Sequence, residues 1–517
     1  MNTATNSNQF TPYLIGAPNA QPSPAPIIPA YMPAEPARPL PSVRTFDVFD
    51  TLIARRCIEP FKVFEIIGKR LDLPTFAAAR KEAEAKIARY PYNLDMIYDQ
   101  LTVALQLDPL QAAGLKAMEI DVELEQVIPI AENMACVRHG DVLISDMYLG
   151  PDIIRRLLDK AGLDKKVSLI VSSDGKRGGA IWPQVQANLA IEEHLGDNVH
   201  SDVEMPRRFN IPNRHTAIFS PTQVEGVLMQ IGLRQLAELC REIRLTTWSD
   251  NARSRTVQLV QASLNFPILL LGSVALARLA ADLNKRSILF SSRDCDSWLP
   301  LFEKVSQRLG FACEATYFYT SRLAKMQPSS SYKAYVKRLL SEDALIVDLC
   351  GTGWSLANFA ATLGVSNLPV FFLHKLPAAA AYEAMAATPQ TCQFHTLISP
   401  SEAGVENTVL EMSNYATHGM VEDVRMVQDF AIPVFAGDNR SAETLAIVQA
   451  QQDCFATAVQ LMEKYDLHEI FALDNASLAA VTSALYGMLS QQTELRSIYG
   501  SSHTAEETSV RRLLGLA

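Results

Sequence analysis

Short apolar runs followed by amphipathic helical patterns repeat along the chain from residue 43 onward. In the first series, runs rich in β-branched and aromatic residues predict strands at residues 44–46, 141–145, 169–172 and 194–196. Strands that alternate with helices are typical of a parallel sheet covered by helices. Residues 57–139, between the first two strands, have an almost wholly helical pattern. We therefore predict an α/β domain over residues 42–212, with a helical cap inserted at about residues 57–139.

A second series begins after a helical connector at residues 213–284. The connector begins with a charged helical segment at residues 223–244. It also contains the longest apolar run, residues 266–277, which is shorter than the roughly 20 residues of a membrane-spanning helix, so we expect a buried helix there. The next strands are predicted at residues 287–291, 315–319, 344–348 and 368–372. These elements predict a second, Rossmann-like α/β domain over residues 285–377, followed by a mostly helical region at residues 378–517.

The first 41 residues differ in composition from the rest of the chain. They hold ten of the 28 prolines, and Glu35 and Arg38 are their only charges. Such a segment cannot build a core, which predicts a disordered, proline-rich leader. It lacks the basic start and the apolar stretch of a secretory signal peptide, so we expect a cytoplasmic protein. The leader also resembles those of some secreted bacterial effectors, and secretion into a host cell stays open as the alternative.

Overall composition narrows the classes of partner. A hydrophobic content of 48% and a charged content of 20% are those of a globular chain. With 46 basic and 56 acidic residues, the net charge of −10 argues against nucleic acid as a partner. The eight cysteines form no CxxC pair, so neither a disulfide framework nor a structural zinc site is indicated. We expect small molecules or proteins as partners, and no membrane span.

Polar residues follow the predicted strands of the first series. Asp47 comes directly after the first strand, Ser145 ends the second, Lys176 follows the third, and Asp197 and Asp202 follow the fourth. The carboxyl ends of parallel strands meet at one edge of a sheet, so these side chains should converge. A phosphoryl group needs a nucleophile (Asp47), a hydroxyl and a cation for its oxygens (Ser145, Lys176), and carboxylates for a metal (Asp197, with Asp202 behind). The candidate metal is Mg²⁺, because every candidate ligand is an oxygen.

The segments that carry these residues resemble four motifs of the haloacid dehalogenase-like (HAD) superfamily, in the same order. They read TFDVFDTL, LISDMYL, SSDGKRGG and LGDNVHSD. The first two of these segments are most similar to those of HAD domains attached to bacterial polysaccharide- and sugar-modifying proteins. The resemblance implies a Rossmann-like fold whose cap closes over the substrate. It also implies an aspartyl-phosphate on Asp47, and the backbone carbonyl of Phe49 as a further Mg²⁺ ligand.

One position departs from the pattern of HAD phosphatases. They usually carry a second aspartate two positions after the nucleophile, as general acid and base, and this chain has Phe49 there. Asp50 is one position further and faces away if the strand alternation persists. One hypothesis is therefore a hydrolase or phosphatase with Mg²⁺-dependent phosphoryl chemistry on a small phosphorylated sugar or nucleotide. The alternative is a catalytically weakened HAD domain in a bacterial binding or effector protein, with a protein partner on its C-terminal half.

The second strand series ends in three polar loops, which predict a second anion site. Its candidate residues are Arg293, Asp294, Arg322, Asp348, Gly351, Thr352, Gly353 and Ser355. Glu406, Glu411 and His418 in the next segment are further candidates for the same crevice. Residues 344–355 are similar to the diphosphate-ribose loop of type I phosphoribosyltransferases, with Leu349 in place of the second acid. The resemblance implies a phosphoribosyltransferase-like fold and offers a corresponding activity as a further alternative.

Overall fold

Two parallel five-stranded sheets organise the chain in a computed structural model that describes residues 40–89, 91–377, 390–399 and 406–513. The predicted leader lies outside the described residues, apart from Leu40 and Pro41. The α/β class predicted from the sequence is confirmed.

The first sheet has its strands in the order β5-β4-β1-β6-β7, all parallel. The strands are β1 (Ser42–Phe46), β4 (Val142–Asp146), β5 (Ser168–Ser172), β6 (Ala190–Gly196) and β7 (Asn213–His215). The chain moves from β1 to one side of the sheet and later returns to the other side, so β1 is the point where the strand order reverses. Ligands of open parallel sheets bind beyond the carboxyl ends of the strands at such a point.

A helical insertion separates β1 from β4, as the sequence predicts. It is framed by a short antiparallel ladder of β2 (Ile53–Arg55) and β3 (Val127–Pro129). Its helices are α1 (Phe61–Arg70), α2 (Phe76–Ile87), α3 (Leu94–Leu105) and α4 (Pro109–Gln126), and α5 (Ala131–Met134) follows β3. Arg80 of α2 and Glu119 of α4 are both fully buried and form a bidentate pair. This pair ties the second and fourth helices of the insertion together.

Three helices complete the first domain, and four helices form the connector. The first group is α6 (Pro151–Lys160), α7 (Ile181–Gln186) and α8 (Met205–Arg208), with a π-helical turn at Val199–Glu204 before α8. The connector contains α9 (Gln223–Gln230), α10 (Arg234–Thr246), α11 (Ala252–Val260) and α12 (Phe266–Asp282), with a π-helical turn at Gln261–Asn265. The charged segment predicted as helical at 223–244 forms α9 and α10, which are separated at Gly232, where φ is 89°.

The apolar run predicted as a buried helix lies in α12. The continuous helical stretch Ala252–Asp282 is long and apolar enough to cross a membrane by length and composition, but 89% of its most apolar window is buried inside the protein. Phe266, Leu270 and Val274 are fully buried among side chains of the connector, the second sheet and the C-terminal helices. The run therefore packs as a core helix.

The second sheet has the order β12-β11-β10-β8-β9 and is also parallel throughout. Its strands are β8 (Ser287–Ser291), β9 (Glu314–Phe318), β10 (Ala344–Gly351), β11 (Leu368–Lys375) and β12 (Cys392–Ile398). The helices between them are α13 (Trp298–Arg308), α14 (Arg322–Met326), α15 (Ser330–Leu339) and α16 (Trp354–Leu363). The order reverses between β8 and β10, which places the switch point of this sheet at the loops that were predicted to bind an anion.

Residues 406–513 contain a β-hairpin in addition to helices. The helices are α17 (Thr408–Met412), α18 (Ala442–Met462), α19 (His468–Phe471), α20 (Asn475–Ser490) and α21 (Thr493–Leu513). Between α17 and α18 lies an antiparallel hairpin of β13 (Val421–Val427) and β14 (Phe430–Phe435). The sequence analysis missed this hairpin. It also missed β12, which lies beyond the predicted boundary at residue 377, as β7 lies beyond that at residue 212.

Candidate functional site

Asp47 lies at the carboxyl end of the central strand of the first sheet. Its backbone N–H donates to the carbonyl of Leu195 at 2.8 Å, which ties it to β6. The Lys176 ammonium donates to its Oδ1, and the Thr51 hydroxyl donates to its Oδ2 at 3.0 Å. The residue is only 6% exposed. Both oxygens of the predicted nucleophile are thus held in a fixed orientation in a nearly dry site.

Asp202 joins Lys176 to a second buried group. Its Oδ1 lies 2.7 Å from the Lys176 ammonium and 3.1 Å from Nε2 of His194. The backbone N–H of Asn198 donates to its Oδ2 at 2.9 Å. The other ring nitrogen of His194 lies 2.8 Å from the Thr45 hydroxyl. Lys176 therefore bridges Asp47 and Asp202, and His194 contacts the same oxygen of Asp202 as Lys176 does.

Asp197 completes a cluster of three carboxylates. One oxygen from each of Asp47, Asp197 and Asp202 lies within 4.8 Å of the other two. The Thr51 hydroxyl lies 3.3 Å from Asp197 Oδ1. Burial, together with the negative charges of Asp47 and Asp50, raises the pKa of Asp197 to about 8. Three carboxylates at this spacing could hold a metal ion. Their oxygen atoms are the type of ligand that a hard divalent cation such as the predicted Mg²⁺ takes.

The other charges of the cluster are set by the same contacts. Burial raises the pKa of Asp47, although the Lys176 ammonium opposes the shift. Burial acts in the same direction on Asp202, but its bonds to His194 and Lys176 outweigh it and hold the pKa of that carboxyl below its usual range. The two carboxylates overcome the effect of burial on Lys176 and raise the pKa of its ammonium. Lys176 is therefore a permanent cation beside the predicted nucleophile.

A carboxylate that the sequence analysis did not single out positions Lys176. Asp146, at the end of β4, accepts hydrogen bonds from the backbone N–H groups of Lys176 (2.9 Å) and Arg177 (2.7 Å). It also accepts one from the Ser172 hydroxyl at 2.6 Å. These bonds fold the loop after β5 back over the end of β4, so the lysine side chain reaches Asp47.

Ser145 and Phe49 are less closely connected to the other residues of the site. Ser145 is buried at the carboxyl end of β4, but within the described residues no hydrogen bond joins its hydroxyl to Asp47 or Lys176. The carbonyl of Phe49 accepts no hydrogen bond from any residue that the structure describes, which leaves it available as a ligand. The Phe49 ring lies under the Arg55 guanidinium, 4.6 Å from its centroid. Asp50 has a φ of 56°, so the strand alternation ends before it.

The second predicted site forms a cavity of about 200 Å³ at the carboxyl edge of the second sheet. All eight residues named from the sequence line it: Arg293, Asp294, Arg322, Asp348, Gly351, Thr352, Gly353 and Ser355. The loops after β8 and β9 are joined by the Ser292 hydroxyl, which donates to the carbonyl of Thr320 at 2.7 Å and accepts from its N–H at 2.9 Å. The sequence located this edge correctly, and the roles of the eight residues stay predictions.

The cavity also contains residues from outside the predicted loops. Lys325 of α14 and Glu411 of α17 line it, and His503 and Glu507 of α21 form another wall. Burial raises the pKa of Glu411 to about 8, with the negative charge of Asp294 adding to the shift. Glu411 was a candidate for this crevice from the sequence, whereas the other two candidates, Glu406 and His418, do not line the cavity. No motif marks Lys325, which follows Arg322 on the same short helix, or His503 and Glu507, which reach the cavity from a helix distant in the chain.

No protein-family model and no curated protein matches this chain. A functional assignment therefore depends on the geometry of the two sites.

Proposed function

We propose that the first domain is a HAD-like phosphoryl-transfer domain that uses Mg²⁺ and an aspartyl nucleophile on a small phosphorylated metabolite, a sugar or a nucleotide. The observation that carries this proposal is the arrangement at the end of β1. Asp47 is held by Lys176 and Thr51, and the carboxylates of Asp197 and Asp202 lie within 4.8 Å of it. A nucleophile, a fixed cation and a hard-metal donor set at one switch point suit transfer of a phosphoryl group.

Each residue of the site has its own role in the proposed reaction. One oxygen of Asp47 attacks phosphorus, and the bond from phosphorus to the leaving oxygen breaks as the new bond forms. The Lys176 ammonium neutralises charge on the phosphoryl oxygens, and Thr51 keeps the second oxygen of Asp47 oriented. Mg²⁺, held by Asp47, Asp197 and the Phe49 carbonyl, would neutralise charge on the transferred group. Asp202 holds Lys176 in place from the other side.

The surroundings of Phe49 favour substrates that need no proton on the leaving group. The aromatic ring occupies the position of the expected general acid, and it packs against Arg55, whose guanidinium forms a bidentate pair with Glu123 at 2.8 and 2.9 Å. Neither the ring nor the guanidinium can act as a proton donor to a leaving alkoxide at neutral pH. Under this proposal an alkyl phosphate, such as a primary sugar phosphate, is turned over slowly, and an acyl or aryl phosphate is turned over faster.

The same observation supports the alternative function. A general acid contributes about 10²- to 10⁴-fold to such reactions, so its loss would suit a HAD domain kept for binding within an effector or binding protein. A phosphoribosyltransferase-like activity of the second half has less support, because the buried Leu349 stands where a second acid is expected.

Magnesium titration tests the proposal. Mg²⁺ at 100 times its dissociation constant should stabilise the wild-type protein by about 2.7 kcal/mol. Asp197→Asn should remove this stabilisation, whereas the control Asp174→Asn, an exposed carboxylate on the loop after β5, should keep it. In the same preparations, p-nitrophenyl phosphate should be cleaved with Mg²⁺, and Asp47→Asn should abolish cleavage. Equal Mg²⁺ affinity in the wild type and Asp197→Asn would contradict the metal site, and full activity of Asp47→Asn would contradict the nucleophile.

A further inference from the structure

The hairpin of β13 and β14 exposes a cluster of large apolar side chains. Val427, Phe430 and Ile432 are exposed by 52, 72 and 48%, and Phe435 at the end of β14 by 40%. No other stretch of nine residues in the described part of the chain exposes more than two such side chains. Single exposed apolar residues are ordinary on a protein surface, whereas a cluster of them marks a surface that contacts a partner.

The strand register brings three of these side chains to one face of the hairpin. Val427 is paired with Phe430, and Ile432 is paired with Arg425. Opposite residues of an antiparallel pair share a face, and so do residues two positions apart in one strand. The other face points inward, because Val424 is fully buried in a core cluster with residues of the second sheet. The hairpin therefore packs on the sheet with one face and presents an apolar outer face to solvent.

The open edge of the hairpin is poorly suited to the addition of another strand. β14 pairs only with β13 among the strands that the structure describes. Pro433 lies inside β14 and has no N–H group to donate to a further strand. A proline in an edge strand protects that edge against strand addition. We therefore expect a partner to contact the outer face of the hairpin and not its edge.

Basic side chains accompany the apolar face. Helix α15 runs along β13: the Met426 N–H donates to the Ser331 hydroxyl at 3.1 Å, and the Arg338 guanidinium donates to the Asp429 carboxylate at 3.0 Å beside the hairpin turn. The exposed charged residues of α15 and the hairpin are Lys333, Lys337, Arg338 and Arg425, together with the acids Glu422 and Asp429. Four basic residues against two acidic ones make this surface positive, although the whole chain has a net charge of −10.

The size of the outer face suits a lipid surface better than a second copy of the chain. At about 150–250 Å² for a whole large side chain, three that are roughly half exposed present about 300 Å². Each partner in a stable protein complex buries about 800 Å². A peripheral membrane site needs less apolar surface, because the attraction of basic residues to anionic headgroups adds to the binding, and aromatic rings are favoured at the membrane interface.

We propose that the outer face of the β13–β14 hairpin binds reversibly to a membrane surface that contains anionic phospholipids. The Phe430 ring enters the interfacial layer together with Val427 and Ile432, while Arg425 and the lysines of α15 contact the headgroup phosphates. This site does not depend on the phosphoryl chemistry proposed for the first domain.

Co-sedimentation of the full chain with vesicles tests the proposal. Phosphatidylcholine vesicles with about 30% phosphatidylserine should bind the protein, and vesicles of phosphatidylcholine alone should bind it much more weakly. An increase in salt from about 0.1 M to about 1 M shortens the Debye length roughly threefold and should release most of the bound protein.

Two substitutions separate the apolar and the electrostatic contributions. Phe430→Ala should weaken binding to the anionic vesicles by about 10-fold, because most of an inserted ring is lost. Lys337→Gln should weaken it by about 5-fold, as expected for one basic residue near the surface. The matched control Leu110→Ala removes a similarly exposed apolar side chain from the cap and should bind as the wild type does. All three side chains are exposed, so thermal melts of the variants should match that of the wild type.

Fluorescence reports whether the ring inserts. Phe430→Trp should bind as the wild type does, and its added emission should shift to shorter wavelength on anionic vesicles. No binding to anionic vesicles, equal binding by the wild type and Phe430→Ala, or an unshifted emission of Phe430→Trp would overturn the proposal. Sedimentation velocity without lipid provides the remaining outcome: a dimer of the wild type that Phe430→Ala dissociates would assign the face to a second copy of the chain and would overturn the proposal as well.

Discussion

Replacement of Gly196 by alanine is expected to damage the Asp47 site through a steric contact, without removing any functional group. Gly196 ends β6 and packs directly on Asp202. A Cβ at this position would lie 2.3 Å from Asp202 Cγ and 2.6 Å from Oδ2, whereas ordinary contacts begin at 3.4 Å. Asp202 would have to retreat by about 1 Å, because its own chain segment is the obstacle.

The displacement should break most of the contacts of Asp202. Its bonds to Lys176, Asn198 and His194 measure 2.7, 2.9 and 3.1 Å, so an added 1 Å exceeds the range of a hydrogen bond for each of them. Separating one partner of a buried ion pair costs about 3–5 kcal/mol. Since Lys176 keeps its bond to Asp47, we expect Gly196→Ala to lower the free energy of unfolding by about 2–4 kcal/mol, and to weaken Mg²⁺ binding.

Urea unfolding, followed by circular dichroism, measures this effect. Gly114→Ala is the control, because Gly114 is an exposed residue of α4 with no atom within 4 Å of an added Cβ. It should be neutral or stabilising. In an Asp202→Gly background the obstacle is absent, and Gly196→Ala should then cost less than 1 kcal/mol, a large non-additivity. A Gly196→Ala protein within about 0.5 kcal/mol of the wild type would refute the reasoning.

Two further predictions concern the cap and the leader. Arg80→Met should lower the free energy of unfolding by about 3–5 kcal/mol, because it leaves the fully buried Glu119 without its cation, and Arg80→Met with Glu119→Leu should recover most of that loss in the same urea assay. Deletion of residues 1–41 should leave the melting temperature unchanged, because every helix and strand that the structure describes begins at Ser42 or later; scanning calorimetry of the two chains checks this, and a fall of several degrees would contradict it.

The inner strands β4, β8, β10 and β11 were readable from the sequence because most of their residues are buried on both faces of the sheet. β8 was predicted with its observed bounds, and β4 and β10 were recognised from runs such as VLIS and ALIVD. The polar residues directly after these runs locate the carboxyl edge, so candidate residues for both sites could be named before their contacts were known. The pattern predicts that these residues share the carboxyl edge of a sheet. It does not predict the distances between their side chains.

The missed strands lack this signal for identifiable reasons. β12 is an edge strand in which only Ile398 is buried, so it carries no continuous apolar run. In β13 the buried residues are Val421 and Val424, three positions apart, because the ladder is irregular between Val421 and Asp423. That spacing imitates a helix. The hairpin turn places Gln428 at a φ of 56°, without the Asn-Gly or Asp-Gly pair that marks such turns.

Thr51 and His194 were missed for a different reason. Each is a polar residue whose partners are distant in the chain: Thr51 contacts Asp197, and His194 contacts Thr45. A threonine four residues after an aspartate, or a histidine inside a strand, is unremarkable in sequence. Only the pairing of β1 with β6, which is distant in the chain, makes them part of the site. A local pattern does not show which strands pair.

The connector helix α10 explains why the predicted domain boundaries do not separate independent bodies. Arg241 donates to the carbonyls of Arg55 and Phe219, at the base of the cap and before α9. Its neighbour Glu242 is 1% exposed and accepts from Arg56 at 2.5 Å and from the Tyr465 hydroxyl at 2.7 Å. A buried carboxylate shared by the cap base and the segment after α18 would lose both partners if either half moved away, which is costly in a low-dielectric interior. The chain from Ser42 onward accordingly forms one compact unit. Since Arg55 also packs on Phe49, the link from the C-terminal half ends beside the candidate nucleophile.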